Sequence, residues 1–132
     1  MNGVFLDSVG LLALWNASDQ WNAVATQAHR RLIERDVPVW TTTVVLLECG
    51  NRAARRAEFR VLVADFWDTM EGGGSLIRPE PDDERIAWTA YRRDEAGEAG
   101  IVDQISFAVM RRLGLTQAFT NDNHFRAAGF ET

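Results

Sequence analysis

The stretch Val4-Phe5-Leu6-Asp7-Ser8 shows, within five residues, the pattern that the rest of the 132-residue chain repeats. Three apolar residues are typical of a short buried strand, and the Asp-Ser pair behind them is typical of a helix N-cap. Apolar residues at Leu11, Leu12, Leu14 and Trp15 then predict a helix. The sequence therefore places Asp7 at the carboxyl end of a strand that leads directly into a helix.

Strands and helices alternate along the whole chain, which predicts a three-layer α/β/α sandwich around a mostly parallel sheet of four or five strands. The length fits a single domain, residues 1–132. The predicted strands are residues 4–6, 38–41, 75–78 and 115–120, with an edge strand at 129–131. The predicted helices are residues 11–15, 19–35, 44–56, 57–70, 82–93 and 102–113, followed by a short last helix. Ser18 is the expected cap of the second helix, and Gly114 is expected to end the sixth. The acidic run 80–84 is expected at the N-terminus of the helix 82–93.

Composition narrows the classes of function. Hydrophobic residues make up 46% of the chain, enough for a core, and the net charge of −5 argues against a surface coated with positive charge for nucleic acid. All 14 basic residues are arginine, which excludes any mechanism that needs a lysine. The lone Cys49 offers no disulfide or zinc pair, and no signal peptide or membrane span is recognisable, so a cytoplasmic protein is expected.

Four acidic residues stand out by their position. Asp7 follows the first predicted strand, and Asp122 follows the fourth, in Phe-Thr-Asn-Asp-Asn-His-Phe at residues 119–125. Glu48 and Asp103 lie on predicted helices in otherwise apolar company. Each has an ordinary structural interpretation: a helix cap for Asp7, a first-turn cap for Asp103, a turn for Asp122 and an ion pair with Arg52 for Glu48.

The four positions are not independent, because the carboxyl ends of parallel strands meet at one edge of a sheet. Carboxylates that share a site raise one another's pKa and repel. Hard divalent cations such as Mg²⁺ and Mn²⁺ relieve that repulsion, since they take oxygen ligands and retain water. Metal-bound water is a nucleophile near neutral pH. A cluster of this kind suits hydrolysis of a phosphodiester.

The order FLDS (5–8), LLEC (46–49), VDQISFAVM (102–110) and FTNDNHF (119–125) resembles the PIN-domain ribonucleases, and within them the VapC-like toxins of bacterial toxin–antitoxin pairs. The resemblance extends from Val4 to Phe130. It implies a PIN fold and a metal-dependent endoribonuclease that binds Mg²⁺ or Mn²⁺. By motif position, the catalytic and metal-binding residues are Asp7, Glu48, Asp103 and Asp122.

The same resemblance assigns supporting roles. Ser8 is expected to cap the first helix and orient the site, while Ser106 and Thr120 are expected to hydrogen-bond the carboxylates. His124 could serve as a general base, but because it lies next to Phe125 it is expected to have a structural role. An RNA substrate, a protein antitoxin and a homodimer are the implied partners. Arginines that would contact RNA phosphates are Arg52, Arg55, Arg56, Arg92 and Arg93.

Most of the five tryptophans are expected in the core, with one or two left to anchor a dimer or an antitoxin groove.

Other α/β classes fit less well. A phosphoacceptor receiver domain needs a lysine near its last strand, and a dehalogenase-type phosphatase needs an aspartate where Val9 stands. No phosphate-binding glycine loop is present. The alternatives that remain are a PIN nuclease that cuts DNA or matures RNA, and a degenerate PIN domain that only binds.

Overall fold

The computed structural model describes residues 1–132 and contains one sheet of four strands with seven helices. All neighbouring strands pair in parallel, in the order β3-β2-β1-β4. The strands are β1 (Val4–Leu6), β2 (Val39–Thr42), β3 (Leu76–Ile77) and β4 (Gln117–Phe119). The α/β sandwich with a parallel sheet expected from the sequence is confirmed.

Six of the helices connect the strands and the seventh follows β4. They are α1 (Ser8–Trp15), α2 (Asn22–Glu34), α3 (Thr43–Arg52), α4 (Ala57–Gly72), α5 (Pro81–Arg92), α6 (Ile101–Leu113) and α7 (Asn123–Ala127). The cap expected at Ser18 is wrong, because residues 19–21 form a turn in which Trp21 N donates to Asp19 Oδ1 at 2.8 Å. Gly114, at φ 73°, ends α6 as predicted.

The edge strand expected at residues 129–131 is reduced to a single bridge between Gln117 and Glu131. Two backbone hydrogen bonds hold it, from Ala118 N to Glu131 O and from Glu131 N to Thr116 O. Gly129, at φ 99°, turns the chain immediately after α7 and leaves too little extended backbone for a ladder. The sheet therefore has four strands.

The core lies on both sides of β1, whose three residues are all buried. Residues 104–110 of α6 are also buried without interruption, so this helix runs through the interior instead of along the surface. Phe107 of α6 meets Phe125 of α7 edge to face at 4.9 Å between ring centroids. Packing of this kind fixes α7 against α6 and thereby fixes the residues on either side of Phe125.

Three of the five tryptophans pack against the core and two are exposed, as expected, although none of the five side chains is fully buried. Trp15, Trp40 and Trp67 are half-buried against the core. Trp21 and Trp88 are 42% and 54% exposed. In α5 the buried apolar positions are Ala87 and Ala90, on a helix that packs closely on α6, and Trp88 is exposed.

Helices α5 and α6 form an antiparallel pair. At one end Arg112 donates to both carboxylate oxygens of Asp83, at 2.9–3.1 Å. Asp83 also accepts from Glu80 N at 2.8 Å, so the acidic run at 80–84 is a helix N-terminus, as expected. At the other end Gln104 Nε2 donates to Glu95 O at 2.7 Å. The first turn of α6 therefore lies beside the loop that leaves α5.

This topology gathers four segments at one edge. The parallel strands bring the carboxyl ends of β1 and β4 together, and the register pairs Leu6 with Phe119. Helix α6 precedes β4 and must run back against it, so the first turn of α6 also lies at that edge. Helix α3 begins at the same edge, directly after β2. No helix of the fold is both long and apolar enough to cross a membrane.

We predict that Gly10→Ala destabilises the protein. A Cβ at position 10 would lie 2.2 Å from Phe119 O and 2.6 Å from Phe119 Cδ1, because α1 packs directly on β4. The expected loss in the free energy of unfolding is about 1–3 kcal/mol. Gly50→Ala in α3 is the matched control: it meets no atom within 4 Å and should gain about 0.5–1 kcal/mol. Urea titration of both variants measures the difference, and equal effects would contradict the close packing.

Candidate metal centre

Asp7 stands where β1 becomes α1, and it is fully buried. One carboxylate oxygen, Oδ2, accepts from Thr120 Oγ1 at 2.7 Å and from Val9 N at 3.3 Å, which makes Asp7 the N-cap of α1. The other oxygen, Oδ1, is buried without any hydrogen-bond partner. Burial raises the pKa of Asp7 to about 6, although the hydrogen bonds from Thr120, Ser8 and Val9 oppose the rise.

Thr120 ties Asp7 to Asp122. Its hydroxyl donates to Asp7, and the same oxygen accepts from Asp122 N at 3.1 Å. Asp122 in turn caps α7, because its Oδ1 accepts from His124 N at 2.9 Å. The turn interpretation of Asp122 is therefore correct but incomplete: the cap holds the carboxylate in place, and the carboxylate still points toward the other acids. Thr120 thus makes a hydrogen bond to one of the carboxylates, and its supporting role in a metal site stays a prediction.

Asp103 lies in the first turn of α6, but its side chain caps nothing: the N-cap is Gly100, and no side chain caps that end. The pKa of Asp103 is raised to about 7, mainly by burial. The charges of Asp7, Asp122 and Glu48 raise the pKa further, while His124 lowers it. Four acids from different parts of the chain thus act on one another, as the sequence predicted.

Glu48 projects from the second turn of α3 and accepts a short hydrogen bond, 2.5 Å, from Ser8 Oγ to Oε1. Two expectations are corrected here. Ser8 does not cap α1, because Asp7 occupies the cap and Ser8 is the first helical residue. The ion pair of Glu48 with Arg52 is not formed, since Arg52 is exposed at the last turn of α3. Ser8 instead orients Glu48.

Ser106 does not behave as expected. Its Oγ is buried and makes no hydrogen bond, so it does not support a carboxylate directly. It lies one turn beyond Asp103, in the stretch of α6 that is enclosed by core side chains. Cys49 neighbours the site as well, but burial first, then the charges of Asp7 and Glu48, raise its pKa to about 12. A thiol of that pKa is inert at neutral pH.

His124 enters the site, which the sequence reasoning missed. Its Nδ1 lies 2.7 Å from Asp122 Oδ1 and 3.7 Å from Asp103 Oδ2. The expected structural role belongs to Phe125, which is buried against Phe107. The spacing in the sequence could have indicated this position. An aspartate that caps a helix accepts a hydrogen bond from the residue two positions later, which places His124 beside the Asp122 carboxylate.

The arginines expected to contact RNA are all exposed, and four of them form no ion pair. Arg52 and Arg55 lie at and just beyond the end of α3, while Arg92 and Arg93 lie at the end of α5. Arg56 differs, because it pairs with Glu58 at 3.1 Å. Since the end of α5 adjoins the loop that leads to Asp103, these positions agree with a role beside the site, which stays a prediction.

The donor atoms fit a hard divalent cation. Four carboxylates converge, and Asp7 Oδ1 is a buried, unpartnered acceptor, which is costly unless a cation or a proton answers it. Asp103, Asp122 and His124 each offer one ligand atom, and these three atoms lie within 4.8 Å of one another. Mg²⁺ and Mn²⁺ suit oxygen ligands of this kind. The residues that would hold the ion are Asp7, Glu48, Asp103 and Asp122.

Fold and site together define an α/β protein with a carboxylate cluster at the carboxyl edge of a parallel sheet. The sequence pattern of the PIN domain matches residues 5–131, and the chain belongs to the PIN-domain family. It is 34% identical over 128 residues to the "23S rRNA-specific endonuclease VapC20" of Mycobacterium tuberculosis, covering 96% of this chain and 95% of that protein.

A solved structure gives the same result. The crystal structure of Mycobacterium tuberculosis VapC20, a "Sarcin-Ricin loop cleaving toxin", superposes with a TM-score of 0.80 at 31% identity. The superposition covers 97% of this chain and 96% of the VapC20 chain. The PIN family expected from the four motifs, and the similarity to VapC-like toxins, are confirmed.

We predict that Asp103→Asn stabilises the metal-free protein at pH 8. Folding raises the pKa of Asp103 to about 7. The stability that the Asp103 side chain contributes is therefore fully present below its pKa in the unfolded chain, where the carboxyl is protonated in both states. That stability is lost as pH rises through the folded-state pKa of about 7. Removing the charge should therefore add on the order of 2 kcal/mol at pH 8 and much less at pH 4. Thermal melts in EDTA at both pH values measure this.

Asp68→Asn is the control for the Asp103 prediction, because Asp68 is an exposed carboxylate on α4. It should leave the melting temperature nearly unchanged at either pH. If Asp103→Asn instead lowered the melting temperature at pH 8, the Asp103 carboxylate would be a stabilising structural group and not one member of a repelling cluster.

Proposed function

We propose that the protein is a metal-dependent endoribonuclease that hydrolyses RNA phosphodiester bonds at the site formed by Asp7, Glu48, Asp103 and Asp122. One observation carries the proposal: folding buries Asp103 and brings Asp7, Asp122 and Glu48 near it, which together raise its pKa, and leaves Asp7 Oδ1 buried without a partner. No structural purpose explains that arrangement, since repulsion of this kind destabilises the folded chain.

A Mg²⁺ or Mn²⁺ ion held by these carboxylates would supply a water of lowered pKa and positive charge beside the scissile phosphate. The protein's own contribution is to fix the ligands. Thr120 holds Asp7 and Asp122 at one spacing through its single hydroxyl. Ser8 fixes Glu48 from the opposite side. Ligands oriented by such hydrogen bonds lose less freedom when the ion and the substrate bind.

The relatives indicate which RNA to test first. VapC20 is named for cleavage of 23S rRNA and of its sarcin-ricin loop. We infer that this chain is likewise the toxin of a toxin–antitoxin pair, acts in the cytoplasm and cuts a structured RNA. The exposed Arg52, Arg55, Arg92 and Arg93 would contact phosphates on either side of the cut.

Two protein partners follow from the same proposal. A cognate antitoxin would bring a basic side chain to the carboxylates, where it would neutralise them in place of a metal ion. A second copy of the chain would cover apolar residues that α3 and α5 leave in solvent, both helices being packed on α6. Those residues are Leu47, Ile86, Trp88 and Tyr91, between 48% and 61% exposed. Sedimentation velocity tests the homodimer.

Two other functions compete with this proposal. A PIN nuclease that cuts DNA or matures cellular RNA would use the same four acids on another substrate. A PIN domain that only binds would have no need of the cluster, so the presence of all four acids, two of them with raised pKa, favours an enzyme.

The experiment is cleavage of a panel that holds ribosomal RNA with an intact sarcin-ricin loop, tRNA, unstructured RNA and single-stranded DNA. Each substrate is incubated with Mg²⁺, Mn²⁺ or EDTA. We expect metal-dependent cutting of RNA that Asp7→Asn abolishes and that Asp68→Asn leaves intact. Cutting that survives Asp7→Asn would contradict the assigned site. Cutting of DNA in preference to RNA would favour the alternative nuclease.

We predict that Ser8→Ala lowers cleavage without unfolding the protein. The substitution removes the 2.5 Å hydrogen bond to Glu48 but leaves the N-cap of α1, which Asp7 provides. Loss of such an orienting hydrogen bond is expected to lower metal affinity or activity about 10–100-fold. Ser18→Ala, in the exposed α1–α2 turn, is the matched control. Full activity in Ser8→Ala, measured at several metal concentrations, would show that Glu48 needs no orientation.

A further inference from the structure

We propose that His124 is a direct ligand of the divalent cation, through Nδ1, and that this nitrogen makes the site favour Mn²⁺ over Mg²⁺. The inference rests on the proposed function, because it concerns the same site. It adds a ligand that the four-carboxylate assignment does not contain, and it names the property of the site that this ligand sets.

The position of Nδ1 carries the proposal. It lies 2.7 Å from Asp122 Oδ1 and 3.7 Å from Asp103 Oδ2. In an octahedral site with metal–ligand distances near 2.1 Å, neighbouring ligand atoms lie about 3.0 Å apart. The two separations around Nδ1 bracket that value. Nδ1 therefore lies where an atom that shares an ion with Asp103 and Asp122 would lie, and the three ligand atoms are within 4.8 Å of one another.

A structural explanation of the short contact is not sufficient. Nδ1 lies within ion-pair distance of Asp122 Oδ1, but the contact lacks hydrogen-bond geometry, and Nδ1 is buried without a hydrogen bond. An imidazole placed there only to neutralise Asp122 would turn a ring N–H toward the carboxylate. Here Nδ1 and the carboxylate oxygens converge without bonding one another, which is how ligands behave around a shared ion.

A second buried atom points to the same space. Asp7 is fully buried, and its Oδ1 also lacks a partner, although its Oδ2 is satisfied by Thr120. The charges of Asp7 and Asp122 both act on Asp103, so these groups are close neighbours. Two buried polar atoms without hydrogen bonds, from opposite ends of the chain, thus belong to one acidic cluster, where a nearby cation would compensate both.

The backbone holds His124 firmly enough for this role. Its N–H donates to the Asp122 side chain, so one helix cap fixes both ligands relative to each other. The next residue, Phe125, is fully buried and packs against Phe107 of α6, the helix that carries Asp103. The three ligands are therefore connected through two rigid contacts, and the imidazole needs only a side-chain adjustment to bind.

Metal preference follows from the chemistry of the ligand. Mg²⁺ takes oxygen ligands and keeps its waters, whereas imidazole nitrogen suits transition-metal ions. Mn²⁺ suits the same carboxylate ligands as Mg²⁺, and as a first-row transition metal it binds an imidazole nitrogen more readily than Mg²⁺ does. Replacing His124 with a carboxylate should therefore move the preference back toward Mg²⁺.

The test is pulsed EPR of the Mn²⁺-loaded protein without RNA, which reports ¹⁴N coupled to the metal and is independent of catalysis. His29 is the other histidine of the chain, and its ring stacks edge-on with Phe119 at 6.5 Å. We expect the ¹⁴N signal in wild type and in His29→Gln, and its loss in His124→Gln. A wild-type signal that survives His124→Gln, or Mn²⁺ bound with no ¹⁴N signal, would overturn the proposal.

Isotope labelling removes the dependence on a His124 variant that folds. In His29→Gln protein grown on ¹⁵N-histidine, His124 is the only labelled imidazole, so the ¹⁴N modulation should be replaced by ¹⁵N coupling. Equilibrium titration gives the second readout. The ratio of Mg²⁺ to Mn²⁺ dissociation constants should fall about tenfold in His124→Asp relative to wild type; an unchanged ratio would contradict the assigned preference.

The outcomes also separate this inference from the proposed function. Metal-dependent RNA cleavage with no ¹⁴N signal would retain the nuclease and reject His124 as a ligand. A ¹⁴N signal without cleavage of any RNA would retain the ligand and reject the nuclease. If wild type bound neither Mn²⁺ nor Mg²⁺ at millimolar concentration, both would be rejected.

Discussion

The site depends on one buried carboxylate, of which only one oxygen is hydrogen-bonded. Asp7 is enclosed by β1, α1 and β4, and only one of its two oxygens has hydrogen-bond partners. A charge in that position destabilises the folded chain unless a cation or a proton compensates it. The pKa of about 6 shows that, without a cation, the proton becomes competitive as pH falls toward that value. The other acids increase the need for a positive charge instead of relieving it.

The fold can impose this arrangement because its elements are fixed by apolar contacts elsewhere. Phe107 and Phe125 hold α7 on α6, and the close approach at Gly10 holds α1 on β4. The bidentate contact of Arg112 with Asp83 fixes the far end of the α5–α6 pair. Stability generated at these points offsets the repulsion at the sheet edge. Functional sites often lie where the local interactions are unfavourable in this way.

The sequence was enough to predict the parallel α/β fold and the meeting of the four acids. Both depend on strong local signals: apolar runs ending in aspartate, and helices between them. The finer contacts depend on three-dimensional register that no local pattern contains. Ser8, for example, hydrogen-bonds Glu48 instead of capping α1. It does so because Asp7 occupies the cap and α3 brings Glu48 within reach.

His124 and the tryptophans also show that the sequence pattern does not determine where an individual side chain points. His124 was expected beside Phe125 and is there, but the cap at Asp122 also turns its ring toward the acids. The sequence did not indicate which tryptophans would be exposed: Trp88 is one of them, because the buried apolar positions of α5 are Ala87 and Ala90. Packing distance between two helices decides which face is buried, and spacing along one helix does not reveal that distance.

The central claim is that Asp7, Glu48, Asp103 and Asp122 surround one cation-binding position. Anomalous diffraction from crystals grown with Mn²⁺ tests it most directly, because the manganese signal locates the ion without reference to activity or to any variant. We expect a strong anomalous peak about 2.0–2.3 Å from carboxylate oxygens of this cluster. Crystals in which Mn²⁺ occupies other sites while the four carboxylates bind no ion would contradict the claim.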